Sequence, residues 1–336
     1  MERSRSEDPA IERSRSDDPF ALRFEVPVAG GALHVARSGP PAAEADCVVL
    51  AVHGVTASLM TWRTVARELD GGICLLAPDL RGRGLSAGLP GPYGMAAHVA
   101  DLIAILDHVG VPTAVLVGHS MGAYLIERLA AEHPTRALGL VLLDAGLPFA
   151  APEDPDEMLD SAVANAVLRL AITFPSTDLY IQGWRAHPAF AQTWNEDIAA
   201  YARYDLVEDG RLVRCAATAA AVQADSREMV LDDANRTALE RVRTPACLLR
   251  AERGLFDADP LISPASLRAF AASHPSVRVE AVADVNHYTL VMGGGTGPHR
   301  VVAAIEALCE AVTPPRGSRT APGGHVAASG RGEDNF

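Results

Sequence analysis

Residues 114–126 set the tightest constraint on how this chain can fold. A continuous apolar run, Ala114-Val115-Leu116-Val117, passes into Gly118-His119-Ser120-Met121-Gly122 and then directly into the helical stretch Ala123-Tyr124-Leu125-Ile126. A strand that turns this sharply into a helix forces the residue at the corner into a strained backbone conformation and leaves no room for neighbouring side chains. The glycines on either side of Ser120 meet that demand. The turn lifts the serine hydroxyl out of the sheet, at the positive end of the following helix. In this context the G-x-S-x-G pattern reads as the seat of a nucleophilic serine rather than as a structural Gly-Ser turn.

The rest of the chain supplies the sheet that such a corner needs. Runs at 24–28 and 32–36 read as a first hairpin joined by Gly30-Gly31. Further runs fall at 47–52, 74–77, 114–117, 138–143, 246–249 and 277–282. Several are continuously apolar without alternation, as expected of strands covered on both faces of a parallel sheet. Between them, Ala96-Val99-Leu102-Ile103-Leu106 and Val301-Ile305-Leu308-Val312 recur at helical spacing. The expectation is an α/β fold with a mostly parallel, doubly wound central sheet.

One region departs from this rhythm. From 148 to 241 no buried strand is evident, and 157–172 places Leu159, Val163, Val167 and Leu170 on one helical stripe. This reads as an inserted helical cap over the sheet, which leaves 20–147 and 242–313 as the core. Residues 1–19 carry a ten-residue echo, Glu2-Arg3-Ser4-Arg5-Ser6 returning as Glu12-Arg13-Ser14-Arg15-Ser16, and read as a disordered polar tail. Residues 314–336, rich in Gly, Pro, Ser and Arg, read as a second disordered tail.

Composition removes several function classes. The net charge of −13 would repel phosphate backbones, and aromatics at 5 % offer little for base stacking, so nucleic acid is not an expected partner. The most apolar window, 111–126, is interrupted by Pro112, Gly118, His119, Ser120 and Gly122, so no membrane-spanning helix is expected. The first residues lack the apolar core of a signal peptide. Cys47, Cys74, Cys215, Cys247 and Cys309 are odd in number, scattered and without a C-x-x-C pair, which reads as buried free thiols in a cytoplasmic protein.

A serine hydroxyl needs a base, and a developing oxyanion needs preorganised N–H donors. His287, in Asp284-Val285-Asn286-His287-Tyr288, follows the last predicted strand and so falls at the same sheet edge as Ser120. The backbone N–H of Met121 and that of Val55, in His53-Gly54-Val55-Thr56 after the strand at 47–52, are the expected oxyanion donors. His53 is read as a brace for that loop and His119 as a packing residue.

Taken together, His53-Gly54, Asp79-x-Arg81-Gly82-x-Gly84-x-Ser86, Gly118-x-Ser120-x-Gly122 and Asn286-His287 make residues 22–313 resemble the α/β-hydrolase superfamily. The likeness is strongest to its esterase and lactonase branch with a helical lid. The resemblance implies a Ser–acid–His triad in that chain order and a structural loop at 79–86. Serine at 120 argues against the epoxide hydrolases and haloalkane dehalogenases of the same fold, which would need aspartate there. The acid departs from the commonest pattern, because the expected position falls on Gly254. Asp144, at the end of the strand at 138–143, is preferred, with Asp257, Glu252 and Asp259 as alternatives.

The implied chemistry is cleavage of a carboxylic ester or lactone through an acyl-enzyme, with no metal or organic cofactor. The expected partner is a small ester-type molecule. Met60, Trp62, Phe149, Tyr180, Trp184 and Trp194 are candidates to line an acyl pocket. Carbon–carbon bond hydrolysis, perhydrolysis or acyl transfer on the same triad, and a non-catalytic binding role, are the competing readings.

Overall fold

The computed structural model describes residues 18–148 and 167–313. Ten strands are found among them. The main sheet has the order β1 (Leu22–Val28), β2 (Gly31–Ser38), β4 (Ile73–Pro78), β3 (Cys47–Val52), β5 (Ala114–His119), β6 (Ala137–Leu143), β9 (Ala246–Arg253), β10 (Val277–Asn286). β1 and β2 form the expected antiparallel hairpin, β2 also runs antiparallel to β4, and every later pairing is parallel. All eight strands read from the sequence are present. This is the mostly parallel, doubly wound sheet expected.

Alternation along each central strand divides the core into two layers. On β5, Leu116 packs with Leu102 of α2 (Met95–His108) and Leu125 of α3 (Met121–Glu132). Val115 and Val117 face the other way, toward Val65 of α1 (Arg63–Glu68) and Ile305 of a C-terminal helix, Thr296–Val312. Both faces are dry, so a polar strand position would have been costly, and the sequence accordingly reads as unbroken apolar runs. Parallel pairing then delivers the C-terminal ends of β3, β5, β6 and β10 to one edge of the sheet. Residues 53–55, 120, 144 and 287 emerge there.

Between β6 and β9 the described residues 167–241 add no strand to the main sheet. They form α4 (Thr177–Arg185), α5 (Glu196–Tyr204), a hairpin of β7 (Leu206–Asp209) and β8 (Leu212–Cys215), and α6 (Ala219–Leu231). The short helices α7 (Asp233–Arg236) and α8 (Ala238–Arg241) follow, and α9 (Pro264–Ser273) and α10 (Thr296–Val312) complete the fold. Beside the helices expected of this insertion, the hairpin is an element that the sequence reading did not foresee. Its strands have four residues each and none is buried, so they lack the apolar run by which strands were recognised. Gly210, at φ 65°, supplies the left-handed corner of its two-residue turn. Of the stripe expected within 157–172, Leu159 and Val163 lie outside the described residues. Residues 167–170 are helical and Leu170 is buried.

The expected tails fall almost wholly outside the described residues, but Asp18 does not behave as tail. Its carboxylate binds Arg23 at 2.6 Å and Arg63 at 3.2 Å, just before the fully buried Phe20. No described helix is long and apolar enough to cross a membrane.

The cysteine reading needs a correction. Cys47, at the start of β3, and Cys309, near the end of α10, form a disulfide, while Cys74, Cys215 and Cys247 are free. A separation of 262 residues hides this pair from any local pattern; only the packing of α10 across the sheet reveals it. The thiol count therefore no longer argues for a reducing compartment. Alkylation of the unfolded, unreduced protein should modify three cysteines, and five after reduction, read by intact mass. Closing so long a loop should contribute ~3–5 kcal/mol, so Cys309→Ser should lower the midpoint of urea unfolding.

Candidate active site

The corner at Ser120 is as tight as the sequence demands. Ser120 sits at φ 57° and ψ −124°, a conformation that side-chain-bearing residues rarely adopt. Its N–H donates to the Leu143 carbonyl of β6 at 3.0 Å. A Cβ on Gly118 would collide with the Gly122 carbonyl, and a Cβ on Gly122 with the Val52 carbonyl of β3. The loop after β3 is pressed against the same corner: a Cβ on Gly54 would stand 3.1 Å from the Ser120 Cβ and 3.6 Å from its Oγ.

That loop is held by its carbonyls, which leaves its N–H groups available. His53, fully buried, donates from Nδ1 to the Gly54 carbonyl at 2.8 Å and accepts the Leu80 N–H on Nε2 at 3.0 Å. Burial pushes its pKa down to about 3, so the ring is neutral, and the pattern fixes the Nδ1–H tautomer. The Arg83 Nε donates to the Val55 carbonyl at 2.9 Å, and its guanidinium pairs with Asp225 of α6, which also binds His98 at 2.9 Å. The N–H groups of Val55 and Met121 have no hydrogen-bond partner among the described residues. Met121 is the first residue of α3, where the helix itself offers no acceptor.

At the ends of β6 and β10 the structure brings Asp144 and His287 together. Asp144 is buried at φ 52°; its N–H donates to the Leu249 carbonyl at 2.8 Å, and its Oδ1 accepts the Ala251 N–H at 3.0 Å. The other oxygen, Oδ2, takes the His287 Nδ1 at 2.7 Å. Two features aim His287. The Asn286 Oδ1 accepts the N–H groups of Tyr288 and Thr289, closing the turn, and the His119 Nε2 donates to the His287 carbonyl at 2.9 Å. The His119 and His287 rings lie 4.4 Å apart, and burial holds the His119 pKa well below the ordinary imidazole value.

The alternative acids lie elsewhere. Asp257 is largely exposed, bonded to Arg253 at 2.7 Å and to the Asn286 Nδ2 at 3.0 Å, contacts that keep its pKa low. Glu252 accepts the Asp284 N–H at 2.8 Å, and Asp259 is exposed in the turn after β9. None of the three bonds His287.

Ser120, His119, His287, Gly54 and Val55 border one cavity of about 380 Å³, whose far side is built by residues 169–215. Of the expected lining residues, Tyr180 and Trp184 are on its wall. Met60 and Trp62 are packed in the core, Trp194 packs at its margin, and Phe149 lies outside the described residues. The sequence reading missed Asp205 and Arg83. Asp205 has no signal beyond being one carboxylate among many. Arg83 stands inside the 79–86 motif, and its reach to Val55 exists only in three dimensions. That motif is structural here: Asp79 accepts the N–H groups of Leu59 and Leu85, each at 2.8 Å, and Arg81 chelates Asp101.

With this geometry in view, comparison with known proteins identifies the class. Residues 48–293 match the model of the alpha/beta hydrolase fold, and the chain belongs to that family. The lipase LipV of Mycobacterium tuberculosis is 41 % identical over 112 residues, 33 % of this chain and 41 % of the lipase. Epoxide hydrolase B of the same organism is 34 % identical over 124 residues, 36 % of this chain and 34 % of that protein. The match thus spans less than half the length of these relatives. The crystal structure of E-2-(acetamidomethylene)succinate hydrolase superimposes with a TM-score of 0.71 at 21 % identity, over 86 % of this chain and 98 % of its own, a likeness of fold.

His53→Ala would strip partners from the Leu80 N–H and the Gly54 carbonyl and should cost roughly 2–4 kcal/mol at pH 7, measured by urea unfolding. Because the unfolded imidazole titrates near 6.5 and the folded one near 3, wild type loses His53's contribution as pH falls through that window. The penalty of the substitution should therefore narrow from pH 7 to pH 4.

Proposed function

We propose that this chain is a serine hydrolase that cleaves a carboxylic ester or lactone through an acyl-enzyme. Ser120 is the nucleophile, His287 the general base and acid, and Asp144 the orienting carboxylate. The N–H groups of Val55 and Met121 form the oxyanion hole, and the described residues 167–241 belong to the cap, with residues from Arg169 to Cys215 on the pocket wall. The observation that carries this reading is the 2.7 Å bond from the His287 Nδ1 to Asp144, on the wall of the cavity that Ser120 also borders.

The chemistry follows from the hydrogen bonds. With Nδ1–H committed to Asp144, His287 keeps Nε2 free of its proton, the tautomer able to take the Ser120 proton as Oγ attacks a carbonyl carbon. The Ala251 N–H and the imidazole share the Asp144 carboxylate, which stays in place to stabilise the imidazolium that forms. The carbonyl oxygen, gaining charge, turns toward the two unpartnered N–H groups, which need no reorganisation to receive it. His287 then gives its proton to the leaving alcohol and takes one from water, whose oxygen releases the acyl group. The resemblance to an epoxide hydrolase is compatible with this, since position 120 carries serine rather than the aspartate that epoxide opening on this fold would require.

Exposure to a fluorophosphonate should add a single adduct to the wild-type mass and none to Ser120→Ala. An adduct surviving in that variant would assign the nucleophile elsewhere. Asp144→Asn should lower kcat/KM for a small chromogenic ester by roughly three orders of magnitude or more, because the amide favours the wrong tautomer of His287. Asp257→Asn should change it little. The reverse ranking would move the acid to Asp257.

A further inference from the structure

Buried carboxylates in this fold are consistently met by cations or by several N–H groups, with one exception on the cavity wall. Asp101 has Arg81, Asp197 has Arg63 and Arg67, and Asp225 has Arg83 and His98. Asp205, which follows α5 and is only 1 % exposed, has no cationic partner among the described residues. Its Oδ2 accepts two neutral donors, the Cys215 Sγ–H at 3.2 Å and the Tyr180 Oη–H at 3.5 Å, and its Oδ1 has no partner among the described residues. Glu127 also has an unpartnered oxygen, but it lies beneath Gly146 and does not border the cavity.

The surroundings of Asp205 favour positive charge. Tyr180, Trp184 and Tyr201 line the same cavity, with ring centroids 6.5 Å apart for Tyr180 and Trp184 and 5.2 Å for Trp184 and Tyr201. Aromatic faces attract a cation through the negative face of the ring quadrupole. The one guanidinium on the described wall, Arg169, is exposed and sits beside Tyr288, near His187. Burial and the negative charge of Asp79 push the Asp205 pKa up to about 7. An apolar residue would complete a purely hydrophobic acyl pocket at lower cost.

We propose that Asp205, with the rings of Tyr180, Trp184 and Tyr201, forms a subsite for a protonated or quaternary amine carried by the substrate. This rests on the reading of the cavity as the substrate pocket of a serine hydrolase, and it narrows the substrate class to esters that bear a basic nitrogen. The carboxylate neutralises the cation while the ring faces replace its hydration.

The test uses a pair of probes of equal shape, choline and 3,3-dimethyl-1-butanol, which differ in a quaternary nitrogen replaced by carbon. Calorimetry on the full chain at pH 8 should find choline bound about tenfold or more tightly, a preference expected of a desolvated carboxylate and aromatic faces acting together. Asp205→Asn should bring the ratio close to one, and Trp184→Leu, a change that spares the carboxylate, should reduce it as well. Equal binding of the two probes by wild type, or no binding of either, would overturn the subsite even if neutral esters are cleaved rapidly. Turnover separates the two readings: if choline is preferred but neither butyrylcholine nor 3,3-dimethylbutyl butyrate is hydrolysed and no fluorophosphonate adduct forms, the subsite stands and the hydrolase reading falls.

Discussion

A carboxylate removed from water must recover its hydration from a small number of fixed partners, and in this protein the pairing of Asp144 is where the sheet edge is tied together. One oxygen takes an N–H of β9, the other takes the imidazole that follows β10, and the residue's own N–H returns to a carbonyl of β9. A carboxylate with one of these partners removed would cost several kcal/mol, so the three strand ends hold a common register. Ser120 joins this arrangement through its own N–H on Leu143, the residue before Asp144. The left-handed backbone at both positions is sustained because neighbouring strands leave no relaxed alternative.

The fold was legible in the sequence because parallel strands covered on both faces must be apolar at every position. Residues 47–52 and 114–117 could scarcely have been anything else. The corner at 118–122 was legible for a related reason: only glycine fits where backbone meets backbone. The carboxylate that bonds His287 was less accessible. Asp144, Asp257 and Asp259 follow strands at the correct edge and Glu252 is the penultimate residue of β9, so what separates the four is which one lies beside the His287 loop. That depends on the packing of three strand ends distant in sequence, β6, β9 and β10, which no local pattern records. The hairpin at 206–215 and the Cys47–Cys309 pair escaped for the same kind of reason, one being short and half-exposed, the other joining residues at opposite ends of the chain.

Histidines illustrate how little residue type alone decides. His53, His119 and His287 all lie at the active edge and all are buried. His53 uses both ring nitrogens on the backbone, and His119 spends one on the His287 carbonyl, so each is committed to holding a loop. His287 alone turns a nitrogen to a carboxylate. The distinction arises from hydrogen-bond partners supplied by other strands.

The ion pair between Arg83 and Asp225 carries a further consequence. Through the Val55 carbonyl, Arg83 ties the loop beside Ser120 to the helix α6, and Arg63 and Arg67 tie α1 to α5 through Asp197. Replacing Asp225 would therefore leave the Arg83 guanidinium buried without its carboxylate, next to the carbonyl that holds this loop. The helix α4 carries no such bond, has a single buried side chain, Tyr180, and still faces the cavity. Substitutions on α4 would therefore reshape the cavity wall while leaving both ion-paired helices in place.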